Sequence, residues 1–461
     1  MKPILLENLI FACKGEFRGP GHLLQESIAD IVIDSRKVQH GSLFFAIQGE
    51  SQDGHQYIPA AVESGAICIV SHQDLGDTNF PYILVDSTSQ ALLDMAKYYR
   101  DSFPNLKVVT ITGSVGKTST KEMIASVLSQ KYKVHKTLGN FNNQWGLPLS
   151  IFNIEEGDEI SVLELGVNHF GEMRILSKTA SPDVCVMTNI GVAHLEFFKT
   201  REGILEEKRQ MLMDVKDGGH IILNGDDDLL STISPVNGIK PLFFGNNSQN
   251  DVYSCNVESI GLRGSTCDIH LPGGKSFECH IQVPGSHMVL NALAGASVGF
   301  CLGLTTDEIR RGILDYSSIE GRNNLLETKD FIILDDCYNA NPVSMKAALD
   351  VLSLAIGRKV AILGDMGELG PEEIALHKEL GEYAAQKHIN LVVAIGPLAK
   401  YIAEGASDKQ PHTKALWFDT KEKFINNMKN LLETGDNVLV KASHGMDLPV
   451  VVEALMNYVS H

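Results

Sequence analysis

The chain lacks any dense run of lysine or arginine. Across 461 residues, Lys and Arg number 39 against 57 Asp and Glu, a net charge of −18. So acidic a surface repels nucleic acid and anionic membranes. Neither is therefore an expected partner, and an anionic substrate must be held by a few local cations or by metal ions. No stretch approaches the roughly 18 consecutive apolar residues of a membrane span. The N-terminal run MKPILLENLIFACKGEF is interrupted at Glu7, and no small-residue cleavage site follows it, which argues against a secretory signal. The eight cysteines, from Cys13 to Cys337, include no CxxC pair. Metal-ligand and redox spacing are thus missing, and a disulfide framework is not expected in so long a chain. The cysteines read as small buried residues in a reducing cytoplasm. There is no internal repeat and no low-complexity tract. No Asn-Lys pair occurs, so the Asn-Lys-x-Asp guanine motif of a GTP-driven switch is excluded.

What is present is an ordinary globular composition, 44% apolar with a mean hydropathy of −0.01. The length exceeds the roughly 250–300 residues at which single cores stop growing, which predicts two or three domains. Residues 1–105 carry short elements: strands around IADIVIDSRKV, GSLFFAIQGE, ICIVS and PYILVDS, and helices over GHQYIPAAVESGA and TSQALLDMAKYYRDSF, with FPN as a linker. From 106 to 318, β-branched runs (KVVTITG, EISVLELG, DVCVMTNIG, GHIILNGD) alternate with helical stretches. That alternation is the pattern of an α/β domain with a parallel sheet covered on both faces. A glycine-rich polar stretch near 245–280 reads as a strand-rich excursion, and a small-residue helix follows Pro284-Gly285. From 319 to 461 the α/β alternation restarts with FIILDDCYNANPVSMKAALDVL, RKVAILGDMGELG, NLVVAIG and DNVLVKAS. The G-x-x-G-x-x-G within it is not the dinucleotide fingerprint G-x-G-x-x-G.

TITGSVGKTST, at 110–120, joins a strand to a helix. Gly113 and Gly116 let the backbone curl around a phosphate, with Ser114 and Val115 between them. The helix amides and dipole attract the anion. Lys117 supplies a point charge, and the hydroxyl of Thr118, followed by Ser119, suits Mg²⁺. Full Walker A spacing needs glycine at 111, where Ile111 stands, so the motif is the shorter T-G-x-x-G-K-T.

Ligands of open parallel sheets bind beyond the carboxyl ends of the strands. There the chain delivers Glu164, Asn189, His194, Glu196, Asn224, Asp226 and Asp227. Mg²⁺ prefers a few hard oxygen ligands, making Glu164 and Thr118 candidates for one ion and His194 for a second. The GDDD run reads as a solvated turn. TREGILEEKRQMLMDV reads as a helix with Leu205, Met211, Leu212 and Val215 toward the core, and helical spacing alone places Lys208 on the surface.

In order, TGSVGKTSTKEM, GNFNNQWGLP, ELGVNHFGEM and TNIGVAHLEFF resemble the conserved central blocks of the Mur ligase family, ATP-dependent amide-forming enzymes of peptidoglycan precursor synthesis. DSRKVQHGSLFFAIQGESQDGH, DDCYNANPVSMKAALDVL and LGDMGELG are similar to segments of the member that acts last. The resemblance implies three domains: one for the UDP-sugar peptide, a central ATPase, and a Rossmann-like C-terminal domain that closes over the site. It implies a cytoplasmic monomer that joins D-alanyl-D-alanine to UDP-N-acetylmuramoyl-tripeptide at the expense of ATP, through an acyl phosphate. A sibling ligase adding the third peptide residue and a folylpolyglutamate synthase are the neighbouring readings.

Carried over residue by residue, the resemblance implies that Lys117 meets the outer phosphates. Thr118 and Glu164 hold a first Mg²⁺, and His194 helps hold a second. Lys208 matches a lysine that CO₂ converts to a carbamate, making it a metal ligand. Asn291 matches the asparagine that meets adenine, with His287 one turn before it. Arg322 and Asp336 match residues that meet the nucleotide on closure. Asp34, Ser35 and Arg36 match a motif near the UDP moiety. Asn142, Asn143, Asn339 and Asn341 match substrate contacts, although Asn-Pro is also a common turn opener. Ala442 and His444 stand where glycine and often arginine are expected, and Trp145 is a further departure.

Overall fold

The structure, a computed structural model, describes residues 1–49, 52–191, 195–409 and 412–458. Three sheets organise it. The first has five strands in the spatial order Glu16–Arg18, Tyr82–Leu84, Cys68–Ser71, Ser42–Phe45, Asp30–Val32, parallel except for its first strand. A two-stranded ribbon, Ile4–Leu5 with Ser27–Ile28, accompanies it. The helix Thr88–Asp101 follows, capped by the Ser87 hydroxyl, which accepts from the Gln90 amide. This helix ties the first sheet to the second. Tyr99 donates to the Ile154 carbonyl at 2.6 Å, and Arg100 donates to the Ala180 and Ser181 carbonyls. Its buried face, with Leu92, Met95 and Ala96, joins one core with Leu147, Ile151 and Leu176 of the central sheet's helices.

The central sheet has nine strands. Its order is Lys275–Ile281, Ser265–Leu271, Val252–Ser259, Leu242–Gly245, His220–Asn224, Val184–Met187, Lys107–Thr112, Ile160–Glu164, Val134–Lys136. The fully buried runs pair in parallel, as β-branched strands covered on both faces do. The glycine-rich excursion adds an antiparallel edge, in which Ser265–Leu271 alternates buried and half-exposed residues. Short strands at Val134–Lys136 and Leu242–Gly245 were not legible in the sequence. From Lys107–Thr112 the chain goes to the edge strand Val134–Lys136, returns to Ile160–Glu164, and then crosses to Val184–Met187 on the other side, so the topological switch point, and the expected ligand crevice, lies at the C-terminal end of Lys107–Thr112.

The third sheet orders six strands as Asn324–Glu327, Phe331–Asp335, Asp436–Lys441, Lys359–Gly364, Leu391–Ile395, Lys414–Phe418, all parallel but the first pair. On one face the helices Glu373–Gln386 and Lys400–Lys409 cross at glycines. A Cβ at Gly381 would lie 2.0 Å from the Ile402 carbonyl oxygen, and one at Gly405 would lie 2.1 Å from that of Lys378. Relief would require the backbones to part. Gly381→Ala is therefore expected to destabilise by about 1–3 kcal/mol, read as a lowered midpoint in denaturant unfolding.

Candidate active site

The strand Lys107–Thr112 ends in a loop that enters the helix Lys117–Leu128 through Gly116, whose φ is +80°. A Cβ at Gly113 would meet the Thr188 hydroxyl at 2.0 Å, so only glycine fits beside the neighbouring strand. The end of that strand braces the loop. The Ser114 amide donates to the Asn189 carbonyl at 3.0 Å, and the Val115 amide to Asn189 Oδ1 at 3.0 Å. Asn189 Nδ2 and the Thr188 hydroxyl both donate back to the Val115 carbonyl at 2.9 Å. The amides of Ser114 and Val115 are thus engaged, and the first turn of the helix carries the donors left for an anion.

Lys117 Nζ folds back to donate to the Gly113 carbonyl at 2.9 Å. Loss of solvent lowers its pKa, Glu164 opposes this, and the Arg322 guanidinium adds to it. On the next residue, the Thr118 hydroxyl donates to Glu164 Oε2 at 3.0 Å, and Asn142 Nδ2 donates to Glu164 Oε1 at 2.8 Å. The hydroxyl of Thr118 and the carboxylate of Glu164 therefore meet beside the loop, with Asn142 steadying the carboxylate through its amide nitrogen. This donor set fits Mg²⁺, which takes one or two protein oxygens and keeps several waters.

These residues line a cavity of about 1600 Å³ that runs between all three sheets. Ile33, Gln48, Gln52 and Tyr57 of the N-terminal unit line it, as do Asn142, Asn143, Trp145 and Asn291 of the central unit. Arg322, Asp336, Asn339 and His444 line it from the C-terminal unit.

Lys208 departs from the surface position that helical spacing implied. The helix Arg201–Lys208 gives way to a 3₁₀ turn, Arg209–Asp214, and Lys208 is only 1% exposed. Burial drives its pKa well below the ordinary lysine value. Lys117 pushes the same way, while Glu207 and Glu164 resist. The adjacent Glu207 carboxylate, also buried, accepts from the Gly171 and Met173 amides at the start of the helix Glu172–Ala180.

His194 lies outside the described residues. Asn291 is buried, accepts from the Thr120 hydroxyl at 2.8 Å, and lies 3.9 Å from where a Cβ of Gly116 would stand. His287 lines the same cavity, and burial lowers its pKa. Asp34 grips Arg36 through both carboxylate oxygens and caps the turn Ser35–Lys37. Of that segment Ile33 lines the cavity, whereas Asp34, Ser35 and Arg36 do not. Asn143 accepts from the Trp145 and Gly146 amides where the helix Gly146–Phe152 begins. Asn341 caps the helix Pro342–Ser353 in a capping box with Ser344. Both asparagine side chains are thus engaged by their own helices, for Asn341 the turn-opener role that Asn-Pro announced. Trp145 donates to the Ser89 hydroxyl, linking the cavity wall to the N-terminal unit. In the GDDD run, Asp227 accepts from the Leu229, Leu230 and Ile190 amides, a loop anchor.

Sequence reasoning missed Lys441. It is 3% exposed, and its Nζ donates to Asp336 Oδ2 at 2.6 Å and to the Asn339 carbonyl at 2.9 Å. Pairing of Asp335 with Val440 sets Asp336 beside it. The available signal was a lysine ending a buried strand, in DNVLVKAS.

A phosphate loop at the switch point of one α/β unit, faced by an arginine from another, defines the class: the chain belongs to the Mur ligase family. Family models described as Mur ligase family, catalytic domain; Mur ligase middle domain; and Mur ligase, glutamate ligase domain match residues 27–100, 111–299 and 321–444. Among individual proteins, it is 35% identical over 456 residues to UDP-N-acetylmuramoyl-tripeptide–D-alanyl-D-alanine ligase of Bacillus subtilis (strain 168), covering 98% of each chain. Its fold matches a crystal structure of MurF from Acinetobacter baumannii with a TM-score of 0.91 at 30% identity, covering 99% of this chain and 100% of that one. MurF ligase from Thermotoga maritima in complex with ADP matches with a TM-score of 0.82 at 32% identity, covering 93% of this chain and 97% of that one.

Proposed function

We propose that this chain is an ATP-dependent ligase that joins D-alanyl-D-alanine to UDP-N-acetylmuramoyl-tripeptide, forming an amide and releasing ADP and phosphate. The observation that carries this reading is the Thr118–Glu164 pair beside Lys117 at a helix N-terminus, faced by Arg322 across the cavity. The full-length relatives with this printed activity support it.

A carboxylate at neutral pH is a poor electrophile because its leaving group would be oxide. The tripeptide's terminal carboxylate therefore attacks the γ-phosphorus of ATP. An acyl–phosphate bond forms, and the bond to the ADP oxygen breaks. The free amine of the dipeptide then attacks the acyl carbon, loses a proton, and expels phosphate from the tetrahedral intermediate. The chain contributes position and charge. First-turn amides and Lys117 hold the outer phosphates, Asn291 and His287 flank the adenine side, and Arg322 meets the terminal phosphoryl group. Mg²⁺, when bound by Thr118 and Glu164, neutralises phosphate charge. Burial drives the Lys208 pKa down, which favours the amine form that would add CO₂, release a proton and, as a carbamate, offer carboxylate-like oxygens to a second ion. Asp34, Ser35 and Arg36 serve the UDP end, Asp336 serves the nucleotide beside Arg322, and Asn142 and Asn339 serve the peptide and acceptor.

Phosphate release with ATP, Mg²⁺ and the UDP-muramoyl tripeptide tests the reading. Sustained release is expected only when D-alanyl-D-alanine is added. Equal turnover with D-alanine or glutamate would move the acceptor to that of a sibling ligase. No ATP-dependent release with any acceptor would overturn the ligase assignment.

A further inference from the structure

Arg322 has an unusual set of neighbours. Its guanidinium carbon sits 4.0 Å from the centre of the Tyr338 ring, and Nη2 approaches the Thr118 hydroxyl at 3.5 Å. Its Nε is buried without a hydrogen-bond partner. The nearby carboxylates of Glu164, Asp336 and Asp335 are already engaged, that of Glu164 by the Thr118 hydroxyl and the Asn142 amide. Asp336 takes Lys441 and the Asn323 amide, and Asp335 takes the Gly321 amide and the Cys337 thiol. The cation is held by an aromatic face and left without a counter-ion among the described residues.

The ring is itself fixed. The Tyr338 amide donates to the Gly321 carbonyl at 3.1 Å, and Gly321 has a φ of +73°. A Cβ there would crowd the Tyr338 Cβ at 3.2 Å, so the backbone leading into Arg322 is laid directly against Tyr338. The His444 ring packs against the same tyrosine at 5.5 Å and 43°. Asn323 Nδ2, donating to the Pro284 carbonyl at 2.7 Å, pins the segment to the central unit.

We infer that Tyr338 is a positioning residue for Arg322: its ring, steadied by His444, holds the guanidinium over the phosphate loop so that it meets the phosphoryl group in flight rather than folding onto a neighbouring carboxylate. A cation over an aromatic face keeps its hydrogen-bonding edge free, which a carboxylate partner would consume. The inference rests on the ligase reading above.

The test is a double-mutant cycle between Tyr338 and Arg322 in the full-length enzyme, read by phosphate release with saturating substrates. Tyr338→Leu should lower kcat about tenfold, the scale of a desolvated cation–π contact. ADP affinity should change less than about twofold, since ADP lacks the group that Arg322 faces. Tyr338→Phe, which keeps the ring, should recover most of the rate. In an Arg322→Ala background, Tyr338→Leu should cost less than about twofold more, because its effect passes through the arginine.

An equal loss in that background, or Tyr338→Phe falling as far as Tyr338→Leu, overturns the inference. Should the leucine variant lose its thermal transition, Tyr338→Met, which keeps bulk without an aromatic face, replaces it in the same cycle. A wild-type enzyme that releases no phosphate sinks the ligase reading instead, whereas an active wild type indifferent to the ring sinks only this one.

Discussion

Lys117→Ala is expected to lower turnover by about a hundredfold to a thousandfold, the loss typical when one preorganised donor to developing charge is removed. The loop it leaves behind is already anchored through Asn189, so thermal unfolding should change little while phosphate release collapses. Lys117→Arg should not restore the rate. The lysine Nζ is folded onto the Gly113 carbonyl in a space that suits a compact ammonium, and a planar guanidinium presents its charge farther out and in a different plane. Turnover within tenfold of wild type for Lys117→Ala would remove this residue from the phosphate chemistry.

Lys208 should give the second large effect, with an opposite sign in stability. Lys208→Ala is expected to cost on the order of a hundredfold in turnover or more, in keeping with losses at groups that orient metal ligands. Formate or acetate should restore part of it by placing a carboxylate in the vacated space. Lys208→Met, by contrast, should unfold at a higher denaturant concentration than wild type assayed without CO₂. It removes an amine whose ionised form is penalised by burial and by the nearby Lys117, and it keeps the volume. A fully active Lys208→Ala enzyme would eliminate the carbamate. An active-site role without rescue by short carboxylates would leave the lysine important for another reason and would also overturn the carbamate.

The contrast between these two lysines marks which positions a local pattern in the sequence can place. Lys117 was readable because every cue is local: a buried strand, two glycines and a helix start within a dozen residues. Glu164 was readable for the same reason, as the last residue of a β-branched run. Lys208 was not, because a charged side chain reads as a surface residue, although its position falls on the buried helix face with Ile204, Glu207, Met211 and Leu212. The Asp336–Lys441 pair depends on two strands about a hundred residues apart coming into register, which no local pattern encodes. The strands at Val134–Lys136 and Leu242–Gly245 are too short to show a period. Asn143 was read as a substrate contact and Asn341 both as a substrate contact and as a turn former, and the hydrogen bonds of both serve the helix starts.

The grip of Asn189 on the Ser114 and Val115 amides has a thermodynamic consequence. The socket for the triphosphate takes its shape during folding, so an arriving nucleotide does not also have to freeze a floppy segment. Ordering costs at association then fall mainly on the ligand itself.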